Sequence, residues 1–201
     1  MSKIEVFDFP QKSPEWYAAR MGIPTSSMFG TVMAQGEGKT RNSYMRKLAG
    51  ELITGIPMES YRNDEMERGI EQEPEIRSRY AFMHDADIVP VGFIKNGGKG
   101  CSPDGLIGED GMVEFKSAAP HLMIEILMAG EVPKRHLPQC YGGLWVAERA
   151  WVDLVIGSHA SLPLFVRRLH RDEVYIRKIT GAVADFNIEL RQMVEKIRSM
   201  S

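Results

Sequence analysis

The residues best placed to do chemistry lie in two short stretches, Cys101-Ser102-Pro103-Asp104-Gly105 and Met112-Val113-Glu114-Phe115-Lys116. Read as a strand, the second puts Glu114 and Lys116 on one face and Val113 and Phe115 on the other. Asp104 sits in a turn just before, close enough for a hairpin to carry it beside Glu114. Two converging carboxylates are the oxygen donors that a hard divalent cation such as Mg²⁺ takes. A lysine beside that cation can orient or deprotonate a water bound to it. Glu-x-Lys alone is too common to carry this assignment, because a surface strand with an ion pair across one face reads the same way.

A third carboxylate comes from a long helix expected over about 63–83. At 100° per residue from Met66, Ile70 falls at about 40°, Glu73 at about −20°, Arg77 at about 20° and Tyr80 at about −40°. Glu73 is therefore expected within the apolar stripe, where a carboxylate is costly unless it is paired or holds a metal. Arg77, one turn on, is one partner that would satisfy it; a shared cation is the other. Pro74 is expected to kink the helix at this point.

The remaining elements must frame these groups. Ser13-Pro14 predicts an N-cap and first helical residue of a short helix ending at Gly22. Thr25 or Ser26 then caps a second helix and Thr40 a third, which Gly55 and Pro57 end. Residues 88–94 look extended, with Pro90 marking an edge or irregular strand. Residues 112–117, 152–156 and 164–169 read as strands, while 119–130, 134–149 and the chain from Glu173 onward read as helices. Loops are expected at 36–39, 55–57, 96–100 and 108–111. The order predicts an α/β fold with a central mixed β-sheet flanked by helices.

A chain of 201 residues suits one domain. With 43% apolar and 26% charged residues it is neither disordered nor fibrous. No apolar run is long enough to span a membrane. The opening residues lack the basic and apolar regions of a secretory signal. Cys101 and Cys140 cannot supply four thiolates, which excludes a tetrathiolate zinc or iron–sulfur site. They are expected as reduced thiols of a cytoplasmic protein. A net charge of −2 argues against coating nucleic acid by bulk charge but leaves room for a local grip on a few phosphates.

Five motifs then occur in order: Trp16-x-x-x-Arg20-x-Gly22-Ile23-x-Thr25-Ser26-Ser27, Gly69-x-x-x-Glu73, Ser102-Pro103-Asp104-Gly105, Glu114-x-Lys116, and Leu137-Pro138-Gln139-x-Tyr141-x-x-Leu144-Trp145-Val146. Together they resemble the phage lambda exonuclease-type viral recombinase family of alkaline exonucleases, within the PD-(D/E)xK nuclease superfamily. The resemblance spans about residues 13–148 and implies a single nuclease domain over 1–201 with a restriction-endonuclease-like core. It implies a Mg²⁺-dependent 5′→3′ exonuclease on linear double-stranded DNA, with Mn²⁺ a substitute ion. Such an enzyme releases 5′-mononucleotides, leaves 3′ single-stranded tails, forms a ring-shaped homotrimer and works beside a single-strand annealing protein.

By the same resemblance, Asp104 and Glu114 hold the catalytic metal with the Phe115 carbonyl, and Glu73 with Asp104 holds a second. Lys116 activates the water and Gln139 sits beside the metals. Arg20, Ser27 and Ser102 bind the 5′-phosphate, with His121 the nearest candidate for a further contact. The assignments make physical sense. Paired cations stabilise both the attacking and the leaving oxygen of a phosphodiester displacement. A guanidinium forks two donors onto a terminal phosphate, and the helix start at Thr25–Ser27 adds hydroxyls and unpaired N–H groups.

Tyr141, Leu144 and Trp145 read as a core-facing helix stripe, and the 13 methionines as gap fillers. Lys134-Arg135-His136 and Arg167-Arg168-Leu169-His170-Arg171 read as solvated basic faces, which in a ring could line a DNA channel. Two other functions compete. An endonuclease of the same superfamily would leave the Arg20–Ser27 pocket without a task. A non-catalytic DNA-binding scaffold for recombination would use the carboxylates only to pair with Arg77 and Lys116.

Overall fold

A computed structural model describes residues 3–34, 38–58 and 64–200, with 64–71 described by their backbone alone. β1 (Ile4–Phe7) leads into α1 (Pro14–Arg20), which Ser13 opens by accepting the Trp16 amide at 3.2 Å. Gly22 ends this segment in the left-handed region at φ 69°, a conformation glycine adopts without strain. Thr25 precedes a 3-10 turn, Ser26–Met28, that runs into α2 (Phe29–Met33). α3 (Lys39–Thr54) begins at Gly38, not at the expected cap Thr40. The Gly38 carbonyl already accepts the Asn42 amide at 3.1 Å, so Thr40 lies inside the first turn. Gly55 closes α3 at φ 69° as expected. Residues 36 and 37 of the expected 36–39 loop lie outside the described residues.

α4 (Asp64–His84) continues past Pro74 without ending there. The extended stretch expected at 88–94 is two strands, β2 (Ile88–Val89) and β3 (Phe93–Asn96), which join different sheets. Pro90, which has no amide to donate, and the crowding at Gly92 separate them; a Cβ there would meet the Phe9 carbonyl oxygen at 2.0 Å. β4 (Gly100–Cys101), β5 (Gly105–Ile107) and β6 (Gly111–Ser117) follow. The chain then forms α5 (Pro120–Ala129), α6 (Leu137–Ala147), β7 (Trp151–Gly157), β8 (Phe165–His170) and α7 (Glu173–Arg198).

The main sheet is mixed, in the order β2-β5-β6-β7-β8, with β6 and β7 parallel and the other pairs antiparallel. A smaller antiparallel sheet runs β1-β3-β4. β1, β4 and β5 have two to four residues each, too short for their alternation to stand out in the sequence.

Each face of the main sheet packs on helices. Met112, Leu154 and Ile156 meet Met123 and Ile126 of α5 and Leu144 of α6. Val113, Phe115 and Val155 meet Ile76 and Tyr80 of α4 on the opposite face. α7 buries Ile176, Ile179, Val183, Phe186, Leu190 and Val194 along one stripe, spaced three and four residues apart as an amphipathic helix requires. That stripe closes a cluster with α2 and α3 that includes Phe29, Tyr44 and Leu48. Among the described residues, no helix is long and apolar enough to cross a membrane.

The buried stripe of α4 is rotated from the expected one. Ile76 and Tyr80 are each 1% exposed, whereas the side chains of Glu73 and Arg77 are 40% and 32% exposed. On the same helical wheel Ile76 falls at about −80°, so the stripe centres near Ile76 and Tyr80 and leaves Glu73 at its flank. The side chains of Met66 and Ile70, which anchored the expected stripe, lie outside the described residues.

Candidate active site

The hairpin of β5 and β6 brings the two carboxylates together. Gly105 pairs with Val113, so the same antiparallel register carries Asp104 alongside Glu114. Gly105 is required by contact: a Cβ there would lie 2.2 Å from Ile88 Cγ2. The Phe115 amide donates to Asp104 Oδ2 at 2.6 Å. Glu114 is 4% exposed. Its Oε1 accepts Lys116 Nζ at 2.6 Å and also the side-chain amide of Gln139 in the first turn of α6.

Charge is concentrated here with little water to screen it. Burial, then the neighbouring Glu114 carboxylate, holds the Asp104 carboxyl well above the usual carboxylate range. Burial works against the Lys116 ammonium, but the Glu114 and Asp104 carboxylates outweigh it and hold the group above its ordinary value. The Lys116 side chain is therefore firmly held as a cation. His136, just before α6, is pushed down to about 4 by burial and by the positive charges of Lys116 and Arg135.

These donors fit a hard divalent ion. Both carboxylates contribute oxygen and sit together, Glu114 buried and Asp104 half-buried, where their mutual repulsion favours a shared cation or a shared proton. Among the described residues, no three carboxylate, imidazole or thiol side chains converge on one point. An ion would therefore rest on Asp104 and Glu114, with main-chain oxygen and water completing its shell.

A second polar set, around Arg20, adjoins this one. The Arg20 guanidinium lies 3.6 Å from the Trp16 ring centroid and donates to Thr25 Oγ1 at 3.4 Å. Thr25 Oγ1 and Ser27 Oγ lie 3.3 Å apart. Trp16 Nε1 donates to Ser102 Oγ at 2.9 Å and to the Gly92 carbonyl at 3.1 Å. Among the described residues no carboxylate lies within ion-pair distance of Arg20. Burial pulls its guanidinium down to about 10, which leaves it charged at neutral pH. A half-buried, charged guanidinium beside a cluster of hydroxyls suits a phosphate. Glu51, 5% exposed, fixes the turn beneath it by accepting the Gly22 and Met58 amides at 2.9 and 3.1 Å.

One cleft of about 190 Å³ joins the two sets and is lined by Arg20, Ser27, Ser102, Asp104, Glu114, Lys116 and Gln139. Glu73 does not line it. α4 packs on the Phe115 face of β6 while Glu114 points from the other, so Glu73 can approach only around the strand end at Asp104. There Glu73 pairs with Arg77 at 3.5 Å, and its charge still helps to raise Asp104. His121 is exposed on the first turn of α5 and does not line the cleft. Sequence reasoning gave no role to Gln11, which also lines the cleft and donates to the Pro103 carbonyl at 3.0 Å. Nothing in an isolated loop glutamine signals that contact.

Tyr141, Leu144 and Trp145 pack in the core as expected. Lys134 and Arg135 are exposed. Arg167, Arg168 and His170 are exposed as well, and Arg168 also forks onto the buried Asp153 with both bonds at 2.8 Å.

Residues 15–150 match the YqaJ-like viral recombinase domain. No curated protein sequence matches the chain. The fold superposes on the alkaline exonuclease LHK-Exo from Laribacter hongkongensis with a TM-score of 0.84 and 31% identity, covering 94% of this chain and 97% of that one. The structure of LHK-Exo in complex with dAMP gives a TM-score of 0.85 at the same identity and coverage. A phage-related exonuclease from Haemophilus somnus 129PT shares the fold at a TM-score of 0.66 and 13% identity, over 87% of this chain and 96% of that one. By the match over residues 15–150 the chain belongs to the YqaJ-like viral recombinase family, and LHK-Exo, which it resembles over nearly its whole length, is an alkaline exonuclease.

Proposed function

We propose that this protein is a Mg²⁺-dependent 5′→3′ exonuclease on linear double-stranded DNA. It releases 5′-mononucleotides and leaves 3′ single-stranded tails for recombination by strand annealing. The observation that carries the reading is the single cleft in which the Arg20–Ser27–Ser102 pocket adjoins Asp104, Glu114 and Lys116. A terminal 5′-phosphate held by Arg20 would direct the next phosphodiester toward the carboxylates. LHK-Exo captured with dAMP supports a mononucleotide product. Hydrolysis adds water to phosphorus and breaks the bond to the 3′-oxygen. The released nucleotide keeps its 5′-phosphate, and the shortened strand gains a new one for the same pocket.

Asp104 and Glu114 would hold the ion, with the Phe115 carbonyl, and Glu73 would join Asp104 at a second position. Bound there, Mg²⁺ supplies Lewis-acid stabilisation of the attacking and leaving oxygens. Lys116 Nζ either takes the proton that the attacking water loses or, as an ammonium, offsets the charge growing on the phosphate. Gln139 holds Glu114 in place from α6. The protein is expected in the cytoplasm, as a homotrimeric ring around duplex ends and beside a single-strand annealing protein. A closed ring would replace bulk positive charge as the means of retention.

A time course on end-labelled linear duplex, with and without chelator, tests this reading. Stepwise loss of mononucleotides from the 5′ end, abolished by chelator, is expected. Efficient nicking of covalently closed plasmid would point to an endonuclease instead.

A further inference from the structure

Arg77 has a place in the structure that pairing with Glu73 does not explain. Its Nη2 donates to the Asp104 carbonyl oxygen at 2.6 Å and stands 3.5 Å from Glu73 Oε1. Its guanidinium carbon lies 5.1 Å from the Phe115 ring centroid. One side chain thus touches α4, the turn that carries Asp104 and the strand that carries Glu114.

The base of Arg77 is itself fixed. Ile76 and Tyr80, on either side of it, are buried against Val113, Phe115 and Val155. Tyr80 also donates its hydroxyl to Asp153 Oδ2 on β7 at 2.5 Å. Asp104 is held from two directions, its carbonyl by Arg77 and its Oδ2 by the Phe115 amide. The contact to Glu73 is longer than a good hydrogen bond, so the carbonyl is the stronger anchor.

We propose that Arg77 is a positioning residue that sets the ion-binding geometry of the cleft by clamping the Asp104 turn to α4. The inference rests on the reading of Asp104 and Glu114 as ion ligands. Two effects of Arg77 on an ion oppose each other. Its positive charge repels a cation, whereas its clamp aims the ligand. If charge dominated, neutralising Arg77 would tighten ion binding; under the clamp it loosens it.

The test is the binding of Mn²⁺ by calorimetry to the full chain and to Arg77→Met, Arg77→Lys and Asp104→Asn, with folding followed by circular dichroism. Arg77→Met is expected to raise the Mn²⁺ Kd about 10- to 100-fold, the range for groups that orient metal ligands. Arg77→Lys keeps the charge and loses the planar fork, so it also binds more weakly than wild type; it carries the test if the methionine variant does not fold. Binding of a 5′-phosphorylated oligonucleotide in chelator is expected unchanged in both. A residue that only supported the fold would lower thermal stability and leave the Kd alone, which overturns the proposal. Equal or tighter Mn²⁺ binding by a folded variant overturns it too. Wild-type protein that binds no Mn²⁺, or Asp104→Asn that binds it equally well, overturns the reading of the cleft itself.

Discussion

The indole N–H of Trp16 donates to Ser102 Oγ at 2.9 Å, and that bond joins the anion pocket to the turn that carries Asp104. The same ring supports the Arg20 guanidinium from below at 3.6 Å. The groups proposed to hold the phosphate and those proposed to hold the ion are therefore linked through this one bond.

Arg20→Lys keeps a positive charge and loses the fork. Hydrogen bonds to charged groups contribute about 1.5–3 kcal/mol, or about 10- to 100-fold. The ratio of initial rates on 5′-phosphorylated and 5′-hydroxyl duplex ends is expected to fall by that factor. An unchanged ratio would remove Arg20 from phosphate recognition.

Lys116→Ala is expected to lower the rate by about 10²- to 10⁴-fold, the usual worth of a positioned proton-transfer group. Duplex binding by gel shift in Ca²⁺ should persist, since the pocket around Arg20 is untouched. Wild-type activity should climb from neutral into alkaline pH, because Glu114 and Asp104 hold Lys116 as an ammonium. A rate flat over that range would mean that Lys116 acts only by its charge.

Asp104 gives a stability prediction. Its carboxyl is raised above the ordinary 3.8 by burial and by Glu114, so the folded state binds that proton more tightly than the unfolded chain. The contribution is complete below the unfolded value and is lost as pH rises through the higher folded value. The melting temperature in chelator should therefore fall above about pH 4 through this group. Under the proposed function Mg²⁺ would replace the proton, so the gain in melting temperature on adding Mg²⁺ should widen as pH rises and vanish in Asp104→Asn. A gain independent of pH contradicts this.

What could be read in advance tracks how local each feature is. Asp104, Glu114 and Lys116 lie within one hairpin, whose alternation and register follow from neighbouring residues. Arg20 and Ser27 lie on a single helix end and turn, but their expected role came from the order of the motifs and not from local spacing. The Trp16–Ser102 and Arg77–Asp104 bonds join residues 86 and 27 positions apart, and no short pattern encodes them. Glu73 shows the limit of periodicity: it lies about 20° from the expected centre of the stripe and about 40° from the centre set by Ile76 and Tyr80, and its side chain is 40% exposed. Residues 88–94 read as one extended stretch made irregular by Pro90, yet β2 and β3 serve separate sheets because the chain turns between them.

Asp153 was not legible as a special residue, yet it is 2% exposed and bound by Tyr80 and Arg168. Burial works against its charge, but the bonds from Arg168 and Tyr80 outweigh that and hold the carboxyl below its ordinary 3.8. Its contribution is present above the unfolded value and is lost as pH falls through the folded one. Asp153→Ala, which leaves the Tyr80 hydroxyl and the Arg168 fork without their acceptor, should cost about 1–3 kcal/mol in urea unfolding at neutral pH. The deficit should shrink toward strongly acidic pH; one that stays constant there would argue that lost packing, not the ionised carboxylate, is responsible.

The account turns on an ion held by Asp104 and Glu114 beside a phosphate held by Arg20. Anomalous diffraction from crystals soaked with Mn²⁺ and a short 5′-phosphorylated duplex measures both at once. The expected map has a metal peak bonded to Asp104 and Glu114 and the terminal phosphate on Arg20, Ser27 and Ser102. A map with the duplex end in the cleft and no metal on either carboxylate, or with the phosphate bound away from Arg20, would contradict it.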